Sequence, residues 1–417
     1  MATTEIKSLH VALESTFARI AAATGLPDAS GASFAPMEFE SASVDFSGLS
    51  QEAAERNEGR GSSYSLPPEP LTMWSGSSRV RRWTGTVSVR AELRTIGAAS
   101  AFGTYGAMPL YRILNSGLGD ITPDSTSDLV SAASATANNT RWTPTVAIAT
   151  SFPEGNIGCG VACNVAGRQE FSFITDVVDA ATDLVYVSPG FTTDLTNVSS
   201  HRVYLCQTLY TALGVPSSIG SSVTFRLDGD GWRAYCYGGR LESVTASLEN
   251  KRVMLDMVVR FAVCQTDHAS ATTVSNPPRA DGAVAHAAGS YVVISGAIGT
   301  TSPAELAGVT YGADDWSFTI TNGLAPRGHS NDIALMSDYE VRSHSATAMV
   351  KLSVPSTTFD PYFLDQTQVS VLLGAGPTGA GNGACFYIPA AHLTADAAVR
   401  ELGGDLVQQT LNFRSGL

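Results

Sequence analysis

Residues 83–94 read Trp83-Thr-Gly-Thr-Val-Ser-Val-Arg-Ala-Glu-Leu-Arg94, and their alternation decides the fold class. Val87, Val89, Ala91 and Leu93 fall on one face of an extended chain; Thr86, Ser88, Arg90, Glu92 and Arg94 fall on the other. A period of two with one apolar side describes a strand that buries one face and wets the other. Short runs of this kind, punctuated by Gly, Pro, Ser and Thr, recur along the whole chain. The expected class is therefore mainly β.

The 417 residues exceed what one core usually serves, and their 44% hydrophobic content is enough to build cores. Formal charge is −13, and the lysines are Lys7, Lys251 and Lys351. This balance argues against a surface that grips nucleic-acid backbones, though not against one that lets them pass. Met1 to Ser8 has no signal-peptide pattern, and the uncharged stretch 282–304 is too polar for lipid, so a soluble protein is expected. Six cysteines without a repeated C-x-x-C read as buried free thiols.

After the Trp83–Arg94 strand, the stretch from Ala98 carries Leu110, Ile113 and Leu114 at helical spacing. Met108-Pro109 marks the effective helix start and Gly117 the stop. Ile6 to Ala23 admits two readings, a helix with Leu9, Leu13, Phe17 and Ile20 on one stripe, or a partly extended arm. Two long hairpins follow. In one, Val244, Ala246 and Leu248 lead through Glu249-Asn250-Lys251 to Val253, Leu255, Met257, Val259 and Phe261. In the other, Leu393, Ala395, Ala397 and Val399 lead through Gly403-Gly404 to Val407, Gln409, Leu411 and Phe413.

Each hairpin follows an aromatic segment, Tyr235-Cys-Tyr237 or Cys385-Phe-Tyr387. The strand and helix of 85–118 have a counterpart in 346–374, where Phe359-Asp-Pro-Tyr-Phe-Leu364 begins a short helix. Strand, helix, aromatic strand, long hairpin thus occurs twice, which reads as duplication; chance likeness of β-patterns is the alternative. Only the first copy carries about a hundred extra residues between helix and hairpin, too many for a bare loop. They hold strand-like pieces at 145–148, 170–174, 184–187 and 203–205. The expected organisation is an N-terminal arm (1–23), a first unit (24–139 and 219–265), an inserted small β-domain (140–218), a linker (266–293) and a second unit (294–417).

Chemical motifs are weak. Cys159-x3-Cys163 lacks nearby partners for a zinc site, the histidines form no H-x-x-x-H, and Asp228-Gly-Asp230-Gly reads as a β-turn before a calcium loop. Gly-x-Ser-x-Gly is absent, the tryptophans do not cluster, and no carboxylate pair stands out. No catalytic, cofactor or metal residue is expected, and the chain reads as a non-enzyme.

Taken together, Arg82-Trp-Thr-Gly-Thr-Val-Ser-Val, the helix at Pro109 to Leu118 and Trp232-Arg-Ala-Tyr-Cys-Tyr-Gly-Gly-Arg-Leu-Glu-Ser-Val-Thr-Ala-Ser-Leu248 resemble the tail-tube proteins of long-tailed bacteriophages. Val11-Ala-Leu-Glu-Ser-Thr-Phe17 is similar to the A-x-E-x-T-x-G arm near the start of such proteins, with Ala18 in place of the glycine. The resemblance spans most of the chain except the insert. It implies two β-sandwich tail-tube domains, each flanked by a short helix, with one sheet of each joining its neighbours into a wide barrel. Six such domains complete a ring, so three chains would suffice, with six chains as the alternative. It also implies stacked rings, tape-measure protein and double-stranded DNA passing through the lumen without sequence-specific binding, contacts to tail terminator and distal tail proteins, no membrane partner, and a place in the virion tail after synthesis in the host cytoplasm.

On that resemblance the lumen-facing residues are Thr86, Ser88, Arg90, Glu92, Asp256, Thr394, Asp396, Gln408, Thr410 and Asn412. Val87, Val89, Leu93, Val253, Leu255, Leu411 and Phe413 are expected to be buried. Arg90 should have an acid nearby, Glu92 or one across the strand. The insert is expected on the tube exterior. Competing readings are another virion part, head–tail joining or decoration, and a carbohydrate-binding or hydrolytic β-sandwich.

Overall fold

The computed structural model describes residues 5–19, 28–45, 85–94, 108–118, 140–142, 160–165, 168–178, 184–188, 190–191, 202–210, 220–229, 232–267, 291–296, 309–327, 338–376, 384–395, 400–403 and 406–415. Among them the chain is mainly β, with large antiparallel sheets and one α-helix, Pro109–Leu118, and no closed barrel.

Eight strands lie side by side as one antiparallel ribbon. In spatial order they are Ser41–Asp45, Gly85–Glu92, Arg252–Phe261, the distal half of Arg233–Glu249, Ala313–Arg327, Asp338–Leu352, Leu406–Ser415, and an end strand from the close of Ala384–Leu393 and Arg400–Gly403. Gly85–Glu92 alternates strictly between buried and half-buried residues. Val87, Val89, Leu93, Val253, Leu255, Leu411 and Phe413 are all buried, so the phase read from the sequence is the phase of the ribbon.

Strand Arg233–Glu249 belongs to two sheets. Its first part pairs with Val223–Gly229 and Val263–Asp267; from Arg240 onward it pairs with Arg252–Phe261 and Ala313–Arg327. The crossover is at Gly238-Gly239. Gly238 has φ +66°, and a Cβ on Gly239 would lie 2.8 Å from the Val223 carbonyl and strike the Phe261 ring. Only glycine turns the corner this tightly. At the far end Asn250 (φ 49°) and Lys251 (φ 64°) make the tight turn.

The core fills the space between the ribbon and the second sheet. Leu9, Val11, Phe225 and Leu227 meet the Val87 face, and the helix contributes Leu110, Ile113 and Leu114. Pro109 opens the helix, as the sequence indicated. Its Gly117 fits because a Cβ there would press 2.6 Å from the Leu241 Cβ.

The same set of ladders occurs twice. In the N-terminal half Ile6–Leu13 pairs with Ala35–Met37 and with Val223–Gly229, Ser41–Asp45 with Gly85–Glu92, and Gly85–Glu92 with Arg252–Phe261. Arg233–Glu249 then pairs with Val223–Gly229 and with Arg252–Phe261. In the C-terminal half Tyr291–Gly296 pairs with Val309–Tyr311 and with Val369–Ala375, Ala313–Arg327 with Asp338–Leu352, and Asp338–Leu352 with Leu406–Ser415. Ala384–Leu393 then pairs with Val369–Ala375 and with Leu406–Ser415. Every one of these ladders is antiparallel, and the order is identical.

Several expectations are corrected. Ile6–Leu13 is a strand paired on both edges, so of the two readings of this stretch the helical one falls and the backbone is extended. Six of its eight residues are buried, because both of its faces are covered. The helix expected at 359–364 is a single 3-10 turn, Thr357–Phe359, capped by Ser356, followed by hydrogen-bonded turns. Strands Val263–Asp267 and Tyr291–Gly296 take up both ends of the expected 266–293 linker.

The inserted residues form a separate five-stranded antiparallel sheet in the order Arg141–Trp142, Leu184–Ser188, Arg168–Val178, Gly160–Val165, Arg202–Leu205. The piece at 145–148 lies outside the described residues. Though inserted in the first half, this sheet packs on the second: Ala162, Phe171 and Phe173 cluster with Leu372, Cys385 and Tyr387. Gln207–Tyr210 also pairs, in parallel, with Ala384–Leu393. Gly374 leaves room for Phe171, whose ring carbon would lie 2.8 Å from a Cβ there.

Candidate functional site

The open face of the ribbon is a polar surface that runs across all its strands. Residues directly opposite one another in an antiparallel ladder share a face, so its rows can be read from the register. One row runs Ser41, Arg90, Asp256, Thr245, Thr319, Thr347, Arg414. The next runs Ser43, Ser88, Val258, Ser243, Thr321, Ser345. A third runs Glu92, Met254, Ser247, Ser317, Met349, Asn412. Short hydroxyl side chains dominate, and Thr245 and Thr319 bond to each other at 3.0 Å.

Of the residues singled out from sequence, Thr86, Ser88, Arg90, Glu92, Asp256, Gln408, Thr410 and Asn412 lie half-buried on this face and Thr394 is exposed. Asp396 lies outside the described residues. Sequence reasoning missed Ser41, Ser43, Ser243, Thr245, Ser247, Ser317, Thr319, Thr321 and Thr347. The signal was there in Trp316, Phe318 and Ile320 alternating with Ser317, Thr319 and Thr321.

Several cations of this face are held by acids, while Arg414, at the end of the first row, is exposed. Arg90 Nε donates to Glu40 Oε2 at 2.8 Å, a second guanidinium nitrogen bonds Glu249, and Asp256 lies 3.7 Å away. Those carboxylates, Glu249 first and Glu40 next, hold the Arg90 guanidinium above its ordinary range. Glu92, the neighbour first expected to offset Arg90, instead pairs with Arg94 at 2.9 Å and Arg252 at 3.1 Å. Arg260 Nε donates to Glu242 at 3.2 Å, and Lys351 stands opposite Asp315.

Two buried polar clusters fix the scaffold. Glu14 accepts hydrogen bonds from the amides of Ala18 (2.9 Å) and Gly238 (2.8 Å) and from the hydroxyls of Thr224 (2.6 Å) and Ser222. Burial raises its carboxyl pKa, against those bonds. Glu14 therefore clasps the N-terminal strand to the corner where the long strand changes sheets. Ala18, standing where the arm motif has glycine, adopts φ 54°, the left-handed conformation that glycine favours.

Asp228, the first acid of the Asp-Gly-Asp-Gly stretch, is buried and accepts from Arg226 (3.0 Å), Arg233 and Ser8 (3.2 Å), so it serves ion pairing in the second sheet. Arg226 also donates to His10 Nε2 at 3.0 Å. His10 Nε2 lies 3.7 Å from Asp228 as well, yet burial and the Arg226 charge outweigh that acid and lower the His10 pKa to about 4. Cys163, Cys206, Cys236, Cys264 and Cys385 are buried free thiols. Cys236 and Cys264 face each other across a ladder. Burial, then the Cys236 contact, pushes the Cys264 thiol well up. Among the described residues no group of His, Cys, Asp or Glu has the arrangement of a metal site. None of their helices is long and apolar enough to cross a membrane.

No protein-family model matches the chain, and no curated protein matches it.

Proposed function

We propose that this chain is a structural protein of a bacteriophage virion that polymerises into the tail tube. Three copies form each ring, six being the alternative, and the rings stack around a channel. Tape-measure protein and double-stranded DNA pass through it, and tail terminator and distal tail proteins bound its ends. The observation that carries this reading is the eight-stranded ribbon, built from two runs of the same ladders, apolar on one face and hydroxyl-lined on the other. A channel wall needs that division. Its inner face must meet water and a moving polyanion, while its outer face needs a core to hold it.

The chemistry of the open face suits passage. Each free Lys or Arg on a phosphate adds salt-sensitive affinity. Arg90 and Arg260 are already committed to acids, Arg414 and Lys351 remain as cations of the face, and the other groups are largely serine and threonine. The inserted sheet, packed on the second half away from the ribbon's open face, belongs on the tube exterior in this reading.

Sedimentation and negative-stain microscopy of the purified full chain test it. Hollow rings or tubes are expected. A protein that stays monomeric at all concentrations, or forms particles without a central hole, would overturn the reading.

A further inference from the structure

The two halves of the ribbon meet where the distal part of Arg233–Glu249 pairs with Ala313–Arg327, with Ser243 opposite Thr321, Thr245 opposite Thr319 and Ser247 opposite Ser317. Because the ladders repeat, each strand of this junction has a counterpart at an outer end of the ribbon. Ser43 lies opposite Ser88, as Thr319 lies opposite Thr347. Val258 faces both Ser88 and Ser243, and Arg414 faces both Thr347 and His392, so His392 occupies the place of Ser243. Thr394, whose amide donates to Asn412 at 2.9 Å, then takes the place of Thr245 beside Asp256.

The residues agree with the register. Ser317-Phe-Thr-Ile-Thr321 matches Ser41-Ala-Ser-Val-Asp45 in its polar and apolar alternation, and Val244-Thr-Ala246 matches Leu393-Thr-Ala395. Exposure differs in one direction only. Phe318 and Ile320 are buried, and Ser317, Thr319 and Thr245 half-buried; their counterparts Ala42 and Val44 are half-buried, and Ser41, Ser43 and Thr394 exposed. The inner pair is covered by its partner strand, and the outer pair has the same faces with less cover. Among the described residues these are the end strands of the ribbon, and an edge strand is a template for pairing.

We infer that neighbouring copies of this chain join by pairing strand Ser41–Asp45 of one copy, antiparallel, with residues 392–394 of the next, in the register of the internal junction, so that Ser43 stands opposite Thr394. The partner is a second copy of the chain, and the contact is head-to-tail, which generates a ring when the rotation closes. This inference rests on the tube reading and specifies its interface.

The test is the double variant Ser43→Cys/Thr394→Cys in the full chain, oxidised mildly after assembly and run on a non-reducing gel. Directly opposed residues have Cα atoms about 4.5–5.5 Å apart, within disulfide reach. Both positions are exposed, so the core is untouched. Cross-linked dimers and trimers are expected from the double variant and not from either single variant. Ser43→Cys/Ala395→Cys, which puts the thiols on opposite faces, should not link.

Hollow rings by microscopy together with no cross-link, or with linking of the Ala395 pair instead, would overturn the register and leave the tube reading standing. Neither rings nor cross-links would overturn both. Hydrogen exchange on the unsubstituted protein gives an independent reading. Amides of 41–45 and 392–395 should gain protection on assembly, and unchanged exchange there would overturn the inference.

Discussion

Thr245 and Thr319 face each other across the boundary between the two halves of the chain, their hydroxyl oxygens 3.0 Å apart. The pair sits in the middle of the open face, in the row that also carries Arg90 and Asp256. A lysine at 319 would therefore introduce a cation far from the acids that hold Arg90. Thr319→Lys should change stability by only about 0.5 kcal/mol, as a half-buried surface substitution. In assembled tubes it should retain DNA at low salt and lose it as salt rises, by gel shift. Equal behaviour of variant and parent at every salt concentration would argue that this face does not meet DNA.

Glu14 ties the first strand to the Gly238 corner through four hydrogen bonds. Glu14→Ala leaves the amides of Ala18 and Gly238 buried without this acceptor, and each orphaned buried donor costs about 1–3 kcal/mol. A loss of roughly 3 kcal/mol or more is expected in urea melts. Glu14→Gln keeps one acceptor oxygen and should lose less. Equal, small losses would show that the clasp is ornamental.

Ala18 holds a left-handed conformation and is wholly buried. That conformation costs a non-glycine residue about 1–2 kcal/mol. Against this, glycine surrenders about 0.5–1 kcal/mol of chain entropy and one methyl contact. Ala18→Gly should thus be neutral or stabilising by up to about 1 kcal/mol in thermal melts, where most buried truncations destabilise. A clear destabilisation would mean that the methyl contact outweighs the backbone strain.

His10 makes stability depend on pH in a defined window. Its pKa is lowered from 6.5 to about 4, by burial first and Arg226 next. Between those values the unfolded chain binds a proton that the folded chain does not, so stability falls as pH drops from 6.5 toward 4. The full effect is roughly 3 kcal/mol at about 1.4 kcal/mol per pKa unit. His10→Gln, which can still accept from Arg226, should flatten this part of the stability curve. An unaltered slope would assign the pH dependence to other groups.

The alternation at 83–94 and 253–261 was legible because one face of each strand meets a core and the other meets water. The mainly β class and the phase of the ribbon followed from it. Ile6–Leu13 was legible only as one of two alternatives, because a strand covered on both sides loses its period of two and keeps a chance helical stripe. Trp316 to Thr321 carries the same alternation, and with it half of the central junction is legible. The docking of Phe171 and Phe173 on the second half was beyond sequence reasoning: nothing local marks which distant surface an apolar sheet face will cover. Arg90 was expected to find an acid, and it found Glu40, Glu249 and Asp256. Those partners depend on register, which composition does not reveal.

The most direct measurement is an electron cryomicroscopy map of the protein assembled from the purified full chain. The account predicts a hollow ring whose channel is lined by the row from Ser41 through Arg90, Asp256, Thr245 and Thr319 to Arg414, with the inserted sheet outside. A solid particle, or a ring whose channel is lined by another surface while this row faces outward, would contradict it.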